Sequence, residues 1–196
     1  MQRFFVNPEA IQNGQVRFPE AAARQMEKVL RLDLHNDEVL VLDNSGKSYL
    51  VRLSGRQGNV LFGEVEQVQE TNERAAFQLE LGFSLTKREK VELILQKGTE
   101  LGVSAFRPFV SDRSLDHNLK LDDAKRERWS AIIREAAEQS HRTRLPAIFS
   151  PQIFKDVLVG FPQESTRLIA WEGSPPELQL NPVLFSTSEG CNSAGA

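Results

Sequence analysis

The chain is poor in several residue types, and each shortage removes a class of function. A single cysteine, Cys191, among 196 residues excludes an internal disulfide framework and a thiolate zinc site. The only histidines, His35, His117 and His141, are widely spaced, which argues against a histidine metal site. No apolar run approaches the roughly 20 residues of a membrane-spanning helix. The first residues also lack the charged-then-apolar pattern of a signal peptide. A cytoplasmic protein with no membrane partner and no bound metal is the expectation. Positive charge is short as well: the formal net charge is −3, so the chain is not a globally basic nucleic-acid binder.

What is present is ordinary for one or two globular domains, with 40% hydrophobic and 26% charged residues. The charges are unevenly spread. Residues 84–146 carry more Lys and Arg than Asp and Glu, and both flanks carry fewer. Such a stretch permits RNA contact and equally suits solvated helix faces.

The stretch 86–110, TKREKVELILQKGTELGVSAFRPFV, organises the chain. Val91, Ile94, Leu95, Gly98 and Leu101 recur at the spacing of one helical face. Gly102 fits the left-handed residue that ends a helix, and 105–110 reads as a strand. A second helix has Asp122 or Asp123 as its cap and Trp129, Ile132, Ile133, Ala136 and Ser140 on one face. Trp129 reads as a core anchor rather than a stacking platform for a base.

Upstream, Arg3-Phe4-Phe5-Val6 reads as a strand, and Asn13-Gly14 as the turn of a hairpin. Pro19 opens a helix with Ala22, Met26, Val29 and Leu30 on one face. Runs at 38–42, 48–53 and 60–68 alternate like strands, with turns at 43–46 and 55–59, which suggests a small barrel or sandwich. The polar stretch 69–76 marks a domain boundary. Strand 78–85 then opens an α/β layer with a parallel sheet, a further element begins near Pro151 and Ile153, and 167–171 (RLIAW) reads as another strand.

Two segments, KVELILQKGTELGVSAFRPFVSDRS and RERWSAIIREAAEQSHRTRLP, resemble the bacterial 16S ribosomal RNA uridine-N3 methyltransferases, the RsmE family of the SPOUT, or α/β-knot, superfamily. RFFV near the start and VLRL at 29–32 match as well, and the resemblance runs from residue 1 to about residue 172. It implies a mixed α+β and α/β fold: a PUA-like RNA-binding β-barrel over 1–72, then a SPOUT methyltransferase domain over 73–183. It also implies S-adenosylmethionine as cofactor, the 16S RNA of the small ribosomal subunit as partner, and a homodimer built on the knot helices. By the same resemblance Arg3, Arg31, Arg113 and Arg142 are RNA-contact candidates. Lys97, Glu100, Glu135 and Gln139 match the family on helix faces. The catalytic group is left open among Glu100, Glu135 and Arg142.

Two departures are mild. The family usually has alanine where Gly98 stands, and a histidine before VLR where this chain has Arg24-Gln25-Met26. A third is large. After RLIAW the family continues with a glycine loop, a second loop and a final helix that bind the cofactor. Here the sequence runs SPPELQLNPVLFSTSEGCNSAGA, with Ser188-Glu189-Gly190 as a faint echo of the glycine loop. The expectation is a methyltransferase domain lacking its C-terminal knot, followed by an aberrant, disordered tail over 184–196. The rival reading is a non-catalytic RNA-binding remnant of such an enzyme.

Overall fold

The structure, a computed structural model, describes residues 1–70, 78–112, 114, 119–170 and 173. The expectations for Arg113, His117, most of the 69–76 boundary, the glycine-loop echo and the 184–196 tail lie outside them. Residues 1–160 form one compact unit and 161–196 a second.

The first unit opens with strand β1 (Arg3–Phe5), a short 3-10 turn at Pro8–Ala10, and hairpin β2 (Ile11–Gln12) and β3 (Gln15–Phe18). Asn13 and Gly14 turn the hairpin at φ 51° and 76°, the pair of left-handed residues that its twist favours. Helix α1 (Glu20–Arg24) continues into a widened π turn over Gln25–Val29. Strands β4 (Glu38–Leu42), β5 (Lys47–Gln57) and β6 (Val60–Glu70) complete a six-stranded sheet in the order β1-β4-β5-β6-β3-β2. Its pairs are antiparallel except β1 with β4. Phe4, Val16, Phe18, Met26, Val39, Val41, Val51, Leu53 and Leu61 form its core.

Three expectations change here. The helical face was set to include Val29, which is 72% exposed, while Ala23 and Met26 are buried. A π turn adds a residue to the helical turn and so rotates later side chains off the 3.6-residue phase. The expected turn at 55–59 is shorter, because β5 runs on to Gln57. Gly55 instead sits at a register shift inside the strand with φ +94°. A Cβ there would meet His35 Cε1 at 2.5 Å, so this position needs both the glycine backbone and the missing side chain. Finally, the expected barrel does not close among the described residues. Val6 N–H donates to Leu42 in the β1–β4 ladder, but Phe5 N–H points to the opposite edge and donates to Glu138 Oε1 at 3.0 Å. A helix carboxylate, and not β2, covers the outer edge of β1.

The remainder of this unit is a parallel α/β layer. Strand β7 (Glu80–Ser84) leads through helix α2 (Arg88–Glu100) to β8 (Ala105–Val110), and helix α3 (Asp123–Gln139) leads to β9 (Ala147–Ile148) and β10 (Gln152–Ile153). Both β9 and β10 pair with β8, opposite β7, and every pair is parallel. They behave as one edge strand interrupted before Pro151. Phe83, Leu85, Val91, Leu95, Val103, Phe106, Trp129 and Ile133 make the core under α2 and α3. Helix α4 (Phe154–Gly160) lies against β8 and β10, with Phe154 and Phe109 ring centroids 4.9 Å apart. Asp122 caps α3 by accepting from Lys125 N at 2.8 Å, and Gly102 ends α2 at φ +96°, both as read from the sequence. Leu101, set on the apolar face, is 81% exposed because the helix has already ended at Glu100. Trp129 is 3% exposed, the core anchor expected.

In the second unit the described residues 161–170 hold no strand, which corrects the expectation for 167–171; Trp171 itself is outside them. Ser165 folds back on Pro162 O through its N–H at 3.1 Å and its hydroxyl at 2.6 Å. The described part of the RLIAW run joins no hydrogen-bonded ladder, and a β-strand exists only through one.

Candidate functional site

Helices α2 and α3 follow consecutive parallel strands and pack on each other. Both run antiparallel to the strands, so their first turns meet at the C-terminal edge of the sheet. Open α/β sheets usually bind ligands at that edge.

Glu92 links the two helices. Its Oε1 accepts from Arg88 Nε at 2.9 Å, its Oε2 accepts from Arg128 Nη2 at 2.9 Å, and Arg128 Nε also reaches Oε1. On one side of this bridge lies a groove of about 590 Å³ lined by Leu85, Arg88, Val91, Lys125, Arg128 and Trp129, among others. On the other lies a groove of about 390 Å³ that holds Glu89, Glu92, Leu93, Gln96, Glu100, Ile132, Glu135 and Gln139. One side of the seam is therefore basic and the other acidic, the acidic side running from Glu89 in the first turn of α2 to Glu100 at its end.

The acidic groove gathers three family-matched residues, Glu100, Glu135 and Gln139. Lys97 does not line it. Its ammonium donates to both oxygens of Glu100, at 3.0 and 2.8 Å. Arg142 is half-buried and donates to the carbonyls of Thr99 and Val103, at 3.1 and 2.5 Å. It thereby ties the last turn of α2 to the segment that follows it. Arg3 donates to His141 O at 2.9 Å, which joins β1 to the end of α3. Arg31 is exposed and left-handed at φ 53°. The structure thus brings Glu100 and Glu135 together, gives Arg3 and Arg142 joints between elements, and leaves Arg31 apart from all of them.

Two groups outside the sequence reading stand out. Glu138 is the carboxylate whose proton affinity rises: burial pushes its pKa up, against the lowering pull of the Phe5 N–H and of Arg134. Periodicity carried no signal for it: at about 100° per residue Glu138 falls opposite Trp129, on the face expected in solvent, and it is covered because β1 packs there. The hydroxyls of Ser84, Ser111 and Ser114 also meet where β7 and β8 end. Ser84 Oγ lies 2.9 Å from Ser111 Oγ and 3.0 Å from Ser114 Oγ. Nothing local in the sequence signals a cluster formed across 27 and 30 residues. Among the described residues no group of three or more His, Cys, Asp or Glu is placed to hold a metal, and no helix is long and apolar enough to cross a membrane.

A parallel sheet with two helices closing a charged seam on one face defines an α/β domain with a groove at the C-terminal edge of its strands. Residues 73–191 match the RNA methyltransferase domain family, and the chain belongs to that family. Its relatives include proteins named ribosomal RNA small subunit methyltransferase E. That of Bacillus subtilis is 37% identical over 120 residues, 58% of this chain and 46% of the relative. That of Synechocystis is 36% identical over 153 residues, 78% of this chain and 48% of the relative. The chain thus spans about half the length of these curated relatives. Among solved structures, the methyltransferase E of Neisseria gonorrhoeae, bound to S-adenosyl methionine, superposes with a TM-score of 0.74 at 29% identity. The match covers 86% of this chain and 68% of that one.

Proposed function

We propose that this chain serves the transfer of a methyl group from S-adenosylmethionine to N3 of a uridine in the 16S RNA of the small ribosomal subunit. It would act in the cytoplasm, as a homodimer with a PUA-like first sheet that grips RNA. The match of residues 73–191 to the RNA methyltransferase domain carries this reading. The names of the relatives and the cofactor bound in the Neisseria neighbour support its finer parts.

The target chemistry sets what the protein has to supply. Uridine N3 must lose its proton before or during attack, and negative charge then develops on the carbonyl oxygens at positions 2 and 4. Fixed N–H or cationic donors aimed at those oxygens lower the barrier, and holding the base in line supplies much of the remainder. Arginine cannot take the proton, because its pKa exceeds about 12. In this reading Glu100 or Glu135 accepts it, and Arg3, Arg31 and Arg113 hold phosphates. Arg142 acts through the end of α2.

Neither groove of the helix seam fits the cofactor. The basic one would repel its sulfonium and ammonium charges. The acidic one offers no aromatic or apolar slot for an adenine, only Leu93, Ile132 and Ala136 among carboxylates and amides. The residues that the resemblance gives to cofactor binding follow position 171, where all but residue 173 lie outside the described residues.

Calorimetric titration of S-adenosylmethionine into the 196-residue chain tests the reading. Saturable binding at micromolar concentration is expected. A folded sample that takes up RNA but no cofactor would replace it with the non-catalytic RNA-binding reading.

A further inference from the structure

The basic half of the α2–α3 seam has no role in the reaction as described, and its geometry suits one kind of ligand. We propose that this groove is a phosphodiester site, in which Arg88, Arg128 and Lys125 hold the backbone of a single RNA strand. The proposal rests on the RNA methyltransferase reading and adds the residues that would carry the strand.

Charge comes first. Among the described residues that line about 590 Å³, three are cations and one, Glu92, is a carboxylate, so this lining carries more positive than negative charge. Across the Glu92 bridge the seam turns acidic, with Glu89, Glu100 and Glu135 and, among the described residues, no cation lining it. The phosphates of a strand are therefore drawn to the basic side of the seam, and the acidic side is left to uncharged groups such as bases.

Aim comes second. Glu92 is itself largely covered, with its side chain 22% exposed, while those of Arg88 and Arg128 remain 61% and 46% exposed. One carboxylate takes Nε of both guanidiniums and Nη2 of Arg128, which leaves Nη1 of Arg128 and both Nη atoms of Arg88 outside this bridge. Two guanidiniums held side by side by a shared anchor match phosphate oxygens, which accept in pairs. Lys125 Nζ lies 5.2 Å from the centroid of the Trp129 ring, and that ring is fixed in the core. Leu85 and Val91, 2% and 3% exposed, close the floor of the groove. The groove is larger than one phosphate needs, so the observations favour a strand.

The test is fluorescence anisotropy of a labelled single-stranded oligouridylate with the full chain, repeated across a KCl titration. The proteins are wild type, the double variant R88Q/R128Q, and a charge-matched control, K47Q/K155Q, whose lysines lie off the seam. Circular dichroism verifies folding. The plot of log K against log salt should become shallower by about 1.4 in R88Q/R128Q, or about 0.7 for each single-strand phosphate that the protein no longer neutralises. The control should keep the wild-type slope. Lys125→Gln leaves the Glu92 bridge intact and should shift the slope by about 0.7, which keeps the test open if the double variant does not fold.

Equal slopes for wild type and the groove variants would overturn the proposal. So would inorganic phosphate displacing the oligonucleotide at equal phosphate concentration, which would mark a small-anion site. Wild type that takes cofactor but no RNA would sink the groove assignment and spare the methyltransferase reading. RNA binding through the groove with no cofactor binding would do the reverse.

Discussion

Gly98→Ala separates two forces of opposite sign at the centre of the molecule. Gly98 lies inside α2, where alanine is intrinsically better by about 1 kcal/mol. On propensity alone the substitution stabilises the protein by that amount. The fold opposes it. A Cβ at Gly98 would stand 2.7 Å from Phe106 Cε1, 2.9 Å from Cζ and 3.4 Å from Val103 Cγ2. Phe106 is fully buried and meets Phe83 edge-on at 6.3 Å between centroids, so the ring cannot swing away without disturbing a second ring. Overpacking of this kind costs about 1–3 kcal/mol, and the net effect should be a destabilisation of about 0–2 kcal/mol. Urea denaturation of wild type and Gly98→Ala, read as the shift in midpoint at constant m, measures it. Phe106→Leu shortens the opposing side chain, so Gly98→Ala/Phe106→Leu should be less destabilised than the sum of the single variants, as contacting residues couple. A raised midpoint for Gly98→Ala alone would refute the packing argument and leave helix propensity as the governing term.

Other tests follow from the described contacts. Arg142→Ala removes both donors from the α2 terminus and should cost about 1.5–3 kcal/mol, the range for hydrogen bonds to charged groups. Its RNA affinity should fall only in step with the folded fraction, and a fall at full folding would point to direct contact. Burial raises the Asp43 pKa, but the Ser45 hydroxyl and N–H and the Tyr49 hydroxyl outweigh it, so the net shift is downward. Its stabilising contribution is therefore present above the ordinary aspartate pKa and lost as pH falls through the lowered one. Asp43→Asn should flatten that acid limb of the stability profile, and an unchanged limb would contradict the assignment. Glu138 has the opposite sign: burial raises its pKa, so its contribution is full below the ordinary glutamate pKa and is lost as pH rises through the raised one. Glu138→Gln, which still offers an oxygen to Phe5 N–H, should remove this loss and be at least as stable as wild type near neutrality, as thermal melts across pH would show.

The parallel layer was the most legible part of the chain. Strand β8 occupies the residues read from 105–110, Asp122 caps its helix, and Gly102 ends the other, because period, cap and stop signals agree along that stretch. Errors fell where a distant contact overrides a local pattern. Val29 left its expected face because a π turn changes the phase. Gly55 read as a turn and serves instead as the place where His35 crosses β5. The edge of β1 looked ready to close a barrel, but its partner is a glutamate more than a hundred residues away. The acidic groove was legible in part, since Glu100, Glu135 and Gln139 fall on helix faces that can be counted. The pairing of Arg88 and Arg128 on Glu92 was not, because register between two helices is a property of packing and leaves no period in either one.

The bonds that fasten β1 bear on how the protein is made. Arg3 and Phe5 are bonded to His141 and Glu138, 138 and 133 residues further on. Synthesis runs from the N-terminus at a pace of about 5–20 residues per second, so the first strand waits several seconds for the helix that covers its outer edge. During that interval Phe4 and Phe5, both buried in the finished fold, have an incomplete shelter. A segment made well before its partners is thus among the last to be secured, and until then it is a natural holding point for a chaperone.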